Sequence, residues 1–126
     1  IKEVSKEKFK IDNFDNPVFC NLETKDYVES NLNIKFDLDH FIKNPKEYKS
    51  CALQYLKVAD VFISAHYWDP ASPKIFNQND LNKLNHLKVV GDITCDVDGS
   101  VPTTIRSSTI DKPNFYIDRN TLIIVC

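Results

Sequence analysis

Two short apolar runs, Val61-Phe62-Ile63-Ser64-Ala65 and Leu87 to Ile93, constrain the fold of this chain more than any other feature. Each has the length of a strand, and each opens directly into a polar cluster, HYWDP after the first and DITCDVDGS within and after the second. A continuous apolar run without alternation is the pattern of a strand covered on both faces, as parallel strands usually are. Helical signals lie before and between the runs. Strand, helix, strand, helix, strand is therefore the expected order, which implies βαβ units, a parallel sheet and an α/β class. In open sheets of that kind ligands bind outside the carboxyl ends of the strands, where both polar clusters fall.

The helical signals are specific. Asn44-Pro45-Lys46-Glu47 has the form of a helix start, with an acceptor at the cap, Pro at the first turn and Glu three residues past the cap. Beyond it Tyr48, Cys51, Ala52, Tyr55 and Leu56 recur at the spacing of one apolar helical face. Asn77 is suited to cap a second, shorter helix from Gln78 to about Asn85 with Leu81 and Leu84 inward. Val18 to Leu22 reads as a short strand and Glu23 to Phe36 as a polar connection. The run Thr121 to Cys126 reads as a further strand.

A length of 126 residues suits one domain, and a net charge of -2 lacks the basic excess that phosphate-backbone binding needs. Nucleic acid is not an expected partner. No apolar run approaches the roughly 18 residues that cross a bilayer, so no membrane partner is expected. The start, Ile1-Lys2-Glu3-Val4, is not ordered like a signal peptide, and a cytoplasmic location follows by default. Cys20, Cys51, Cys95 and Cys126 lie far apart without a CxxC pair, and buried free thiols are the reading. The chain begins without Met and ends on an apolar β-branched run, so a piece of a longer protein is expected. Gly91 and Gly99 are the only glycines, which excludes a complete GxGxxG or GxxxxGK[ST] phosphate loop within the chain.

The acidic stretch Gly91 to Ser100 fails as a calcium loop. With Gly99 as its turn glycine, Thr94 takes the first ligand position and Ile105 the last, where a bidentate Glu is required. Zinc would need His66 to meet Cys95 and an Asp, which nothing in the spacing requires, so no metal is expected. A Cys95 and His66 nucleophilic pair meets the same objection. Asp92 and Asp96 are better suited to accept hydrogen bonds from a hydroxyl, a water or an amine at the mouth of the sheet. A strand opening into His66, Tyr67 and Trp68 suits a flat heteroaromatic ring as well as it suits simple loop packing. Arg106 could pair with a phosphate or carboxylate.

Taken together, HYWDPASPKIF (66–76), VVGDITCDVDGS (89–100) and RSSTIDKPNFYID (106–118) resemble lysine-ketoglutarate reductase and the lysine-forming saccharopine dehydrogenases, relatives of alanine dehydrogenase and the proton-translocating transhydrogenases. FIKNPKEYKSCALQYL (41–56) is similar to the helix that precedes the first motif there. The resemblance covers roughly residues 37 to 126. It implies a partial Rossmann-like, doubly wound parallel sheet, the latter part of an NAD(P)-binding domain in a longer two-domain enzyme. It also implies NAD or NADP as cofactor, an amino acid and a 2-oxo acid as substrates, and hydride transfer to or from an imine. A homo-oligomer is compatible with this.

Residue by residue, the resemblance puts Ala65 and His66 along the cofactor and Asp92, Ile93, Thr94, Cys95 and Asp96 at the strand end and loop beneath its nicotinamide. Asp96 takes the place of a proposed catalytic acid, and its expected work is to orient a water or amine by hydrogen bonding. Arg106 and Cys126 match two further cofactor contacts. Two departures stand out. Asp98-Gly99 replaces a glycine pair, and Trp68 to Pro73 replaces the GAKAP-like loop of alanine dehydrogenases, which favours the saccharopine branch.

Overall fold

The computed structural model describes residues 1–117 and 122–125. In chain order its elements are β1 (Lys2–Glu3), α1 (Lys6–Ile11), β2 (Val18–Phe19), α2 (Thr24–Tyr27), β3 (Val28–Ser30), α3 (Leu38–Lys43), β4 (Tyr48–Ser50), α4 (Leu53–Leu56), β5 (Val61–Ser64), β6 (Val89–Asp92), β7 (Asn114–Tyr116) and β8 (Leu122–Val125). Short 3-10 turns occupy Pro45–Glu47 and Gln78–Lys83. No helix among the described residues is long and apolar enough to cross a membrane.

The largest sheet runs in the order β5-β6-β8-β7. β5, β6 and β8 are parallel, with Val61 opposite Val89, Ser64 opposite Asp92, and Asp92 opposite Val125. β7 is antiparallel to β8 at the far edge. β1 and β2 form a separate parallel pair, and β3 and β4 a separate antiparallel pair. The molecule is thus a small mixed α/β domain. The parallel pairing of β5, β6 and β8 agrees with the sequence in part: the expected first strand, Val18 to Leu22, pairs with β1 away from this sheet, and the antiparallel β7 and the two detached pairs were not expected.

The two expected helices are largely replaced. Between Asn44 and Leu56 the chain makes a 3-10 turn, then β4, then the single turn of α4. Tertiary hydrogen bonding overrides the helical pattern here: β4 pairs with β3, and the amide of Cys51 donates to the carbonyl of Tyr27 at 2.7 Å. Asn44 makes no side-chain cap; its amide nitrogen donates to the His40 carbonyl behind it. The apolar face survives all the same, since Tyr48, Ala52, Tyr55 and Leu56 are buried.

Gln78–Lys83 is a 3-10 turn and not an α-helix. Asn77 and Asp80 cap one another reciprocally, and the amide of Leu84 reaches back only three residues to Leu81. Asn79 and Asn82 inside this stretch compete for backbone groups and are poor helix formers. The connection Glu23 to Phe36 is not a plain loop, because α2 and β3 lie within it. Of Val18 to Leu22 only Val18–Phe19 is a strand.

The core lies against one face of the large sheet. Val90 and Ile123 are fully buried, packed with Ala52, Leu56, Ile75, Phe76, Leu84, Leu87 and Val101. Phe62 from β5 meets Phe76 edge to face at 6.5 Å between ring centroids. The opposite face is open at β5, where Val61 and Ile63 are 53% and 64% exposed. The expectation of a strand covered on both faces is corrected: β5 is an edge strand covered on one face only. Cys20 and Cys51 are free thiols, and they and Cys95 are half-buried where full burial was expected; Cys126 lies outside the described residues.

Candidate functional site

Parallel pairing brings the carboxyl ends of β5 and β6 side by side. Ser64 stands directly opposite Asp92, both on the core-facing side and almost wholly buried, at 1% and 0% exposure. The pairing continues one residue further, as the amide of Ile93 donates to the carbonyl of Ser64 at 2.9 Å. The post-β5 loop, with exposed Ala65 and half-buried His66, and the post-β6 loop from Ile93 onward therefore emerge together.

His66 is held at its base. Its Nδ1 and the Ser64 hydroxyl share a hydrogen bond of 3.1 Å, and its ring lies 6.0 Å from that of Tyr27. Its Nε2 is buried without a partner among the described residues, as are Trp68 Nε1, Ser100 Oγ and Thr103 Oγ1. Burial lowers the His66 pKa, and the attraction of Asp92 opposes this. The imidazole is therefore biased towards its neutral form.

Asp92 has no exposure to a ligand. Its Oδ1 accepts from the amide of Thr94 at 3.0 Å and from the Thr94 hydroxyl at 2.5 Å, and its Oδ2 accepts from the hydroxyl of Thr104. Three donors on one carboxylate are what a buried anion requires to remain buried. The sequence points to Asp92 but not to Thr104, which lies twelve residues away outside any periodic pattern.

Beyond Thr94 the loop turns twice through the left-handed region, at Cys95 (φ 62°) and Asp98 (φ 59°). Asp tolerates that conformation; Cys adopts it far less readily. Between them Asp96 is exposed, and its carbonyl accepts from the amide of Gly99 at 2.9 Å. The Cys95 thiol donates to the carbonyl of Ile93 at 3.3 Å, and the His66 Nδ1 is taken by Ser64. Neither contact prepares a thiolate and imidazole pair. No group of three metal-ligating side chains gathers among the described residues.

Arg106 sits at the same end of the sheet, two strands from β6. Its guanidinium donates to the carbonyls of Ser107 and Asn114 and stacks on Phe115 at 4.4 Å from the ring centroid. Asn114 pairs with Ile124, which pairs with Gly91, so the arginine is aligned with the ends of the parallel strands. At about 4.8 Å per strand that puts it roughly 10 Å from the β6 end. A cleft of about 300 Å³ between Tyr48–Ser50 and the segment 73–77 shares none of these residues.

The exposed surface at the mouth combines Ile93, 52% exposed, with the Asp96 carboxylate.

No family model matches the chain. Over 102 residues it is 29% identical to the alpha-aminoadipic semialdehyde synthase of Arabidopsis thaliana, an alignment that takes in 76% of this chain. The chain spans about a tenth of the length of that curated relative. The likeness is distant, and it supports the resemblance seen in the motifs only loosely.

Proposed function

We propose that the protein carrying this chain is an NAD(P)-dependent oxidoreductase that forms or cleaves saccharopine, with this segment contributing to the nucleotide site. The observation that carries the reading is the convergence of the post-β5 and post-β6 loops at one end of a parallel sheet. The distant likeness to alpha-aminoadipic semialdehyde synthase supports it further.

When bound, the nicotinamide cofactor would supply a hydride to an imine carbon in its reduced form, or accept one from the corresponding amine carbon in its oxidised form. The chain's own residues orient and exclude. Ala65, His66 and Ile93 wall the mouth, and Thr94 and Cys95 carry the loop outward. Asp96, exposed at the turn, accepts a hydrogen bond from a water or an amine and so fixes its direction; holding reactants in register is a large share of what such a site contributes. Arg106, already anchored on Asn114 and Phe115, retains donors for a phosphate oxygen. Asp92 is covered and takes part through the loop alone.

The test uses the full gene product. Incubation with lysine, 2-oxoglutarate and reduced nicotinamide cofactor is expected to consume the cofactor's absorbance. Consumption with pyruvate and ammonia alone would point instead to an alanine dehydrogenase type of activity. No consumption with either mixture would favour a non-catalytic binding domain. At the site, Asp96→Asn is expected to depress turnover at least tenfold more than Asp98→Asn, and equal effects would remove Asp96 from its role.

A further inference from the structure

We infer that Asp92 is the positioning residue of this site, a buried clasp that sets the direction of Asp96; the inference rests on the role given to Asp96 above. Both oxygens of Asp92 face inward, and each reaches a different limb of the loop. Through Oδ1 it fixes the amide and hydroxyl of Thr94, two residues before Asp96. Through Oδ2 it holds the hydroxyl of Thr104, whose carbonyl in turn accepts from the amide of Asp98, two residues after Asp96, at 3.3 Å. Asp96 is thus bracketed on both sides by bonds that trace to one carboxylate.

The loop needs such an anchor. Cys95, immediately before Asp96, sits at positive φ, a conformation that costs a non-glycine residue free energy and persists only when its surroundings over-determine it. Among the surroundings that do so are Thr94 on one side, the Asp96 to Gly99 turn on the other, and the bond from the Cys95 thiol to the carbonyl of Ile93. Hydrogen bonds to an ionised acceptor are stronger than neutral ones, which suits a carboxylate to this work better than an amide.

A double-substitution cycle in the full gene product tests the clasp. Asp92→Asn is expected to lower kcat by roughly tenfold while KM for the nicotinamide cofactor stays within about twofold, and Asp92→Asn on an Asp96→Asn background is expected to lower kcat no further. In the cofactor-free protein, amide hydrogen exchange across 93–99 is expected to quicken by roughly tenfold in Asp92→Asn with the β5 and α4 segments unchanged. Thr104→Ser should keep both properties and Thr104→Val lose them, which carries the test if Asp92→Asn does not fold. Losses that multiply in the double variant, or unaltered exchange, overturn the clasp alone. Unaltered turnover in Asp96→Asn overturns the role of Asp96 and the clasp with it.

Discussion

A methyl group at position 99 would stand 2.5 Å from the Cβ of Asp96 and 2.7 Å from its carbonyl oxygen. Gly99 is therefore required by close approach, since its backbone φ is not positive. The turn that presents Asp96 closes on a residue without a side chain, and any Cβ there must push Asp96 away. Gly99→Ala is expected to cost about 1–3 kcal/mol of stability by overpacking, measured by denaturant titration, and to lower turnover of the full protein along with it. A stability change below about 0.5 kcal/mol would mean that the turn adapts freely. Glycine scarcity made this position conspicuous in the sequence; the atom it avoids is visible only in the folded loop.

At the scale of elements, the clearest case is the stretch from Asn44 to Leu56. Its apolar period is helical, and its apolar residues are indeed inside, yet the backbone of Tyr48–Ser50 is a strand. Ser50 shows what decides between the two. Its hydroxyl donates to the carbonyl of Ile75 at 2.5 Å and accepts from the amide of Ala52 at 3.2 Å, so one side chain ties β4 to the crossover segment and starts α4. Ser50→Ala leaves a half-buried carbonyl and an amide without these partners. It is expected to cost about 1–3 kcal/mol, read as a lower denaturant midpoint with an unchanged slope. A midpoint equal to the parent's would show that β4 is held by its pairing with β3 alone.

For the whole molecule, stability couples to pH through His66. Burial lowers its pKa from the ordinary 6.5, against the weaker pull of Asp92. Between the lowered folded value and 6.5 the unfolded chain binds more protons than the folded one, so this contribution is complete above 6.5 and is lost as pH falls through the folded value. Thermal melts are expected to drop more steeply from about pH 7.5 to about pH 5 in the parent than in His66→Gln, which has nothing to protonate there. Parallel curves would assign the acid sensitivity to other groups. The parallel trio β5, β6 and β8 was legible in the sequence because strand runs are local, and so was the mouth they share. The antiparallel β7 and the open face of β5 were not, because pairing direction and coverage depend on residues far along the chain.

The sequence by itself determined the three parallel strands of the main sheet, the polar clusters that follow β5 and β6, and that Asp92, Asp96 and His66 belong to those clusters. Hydrophobic runs and their punctuation are short-range properties, and they survive folding unchanged. Only the tertiary structure showed which of the carboxylates is buried and which is exposed. Burial against Ser64 and the reach of Thr104 across twelve residues turned Asp92 inward, and the two left-handed residues around it turned Asp96 out. Spacing places such residues in one loop, but desolvation and hydrogen bonding decide which of them can meet a ligand.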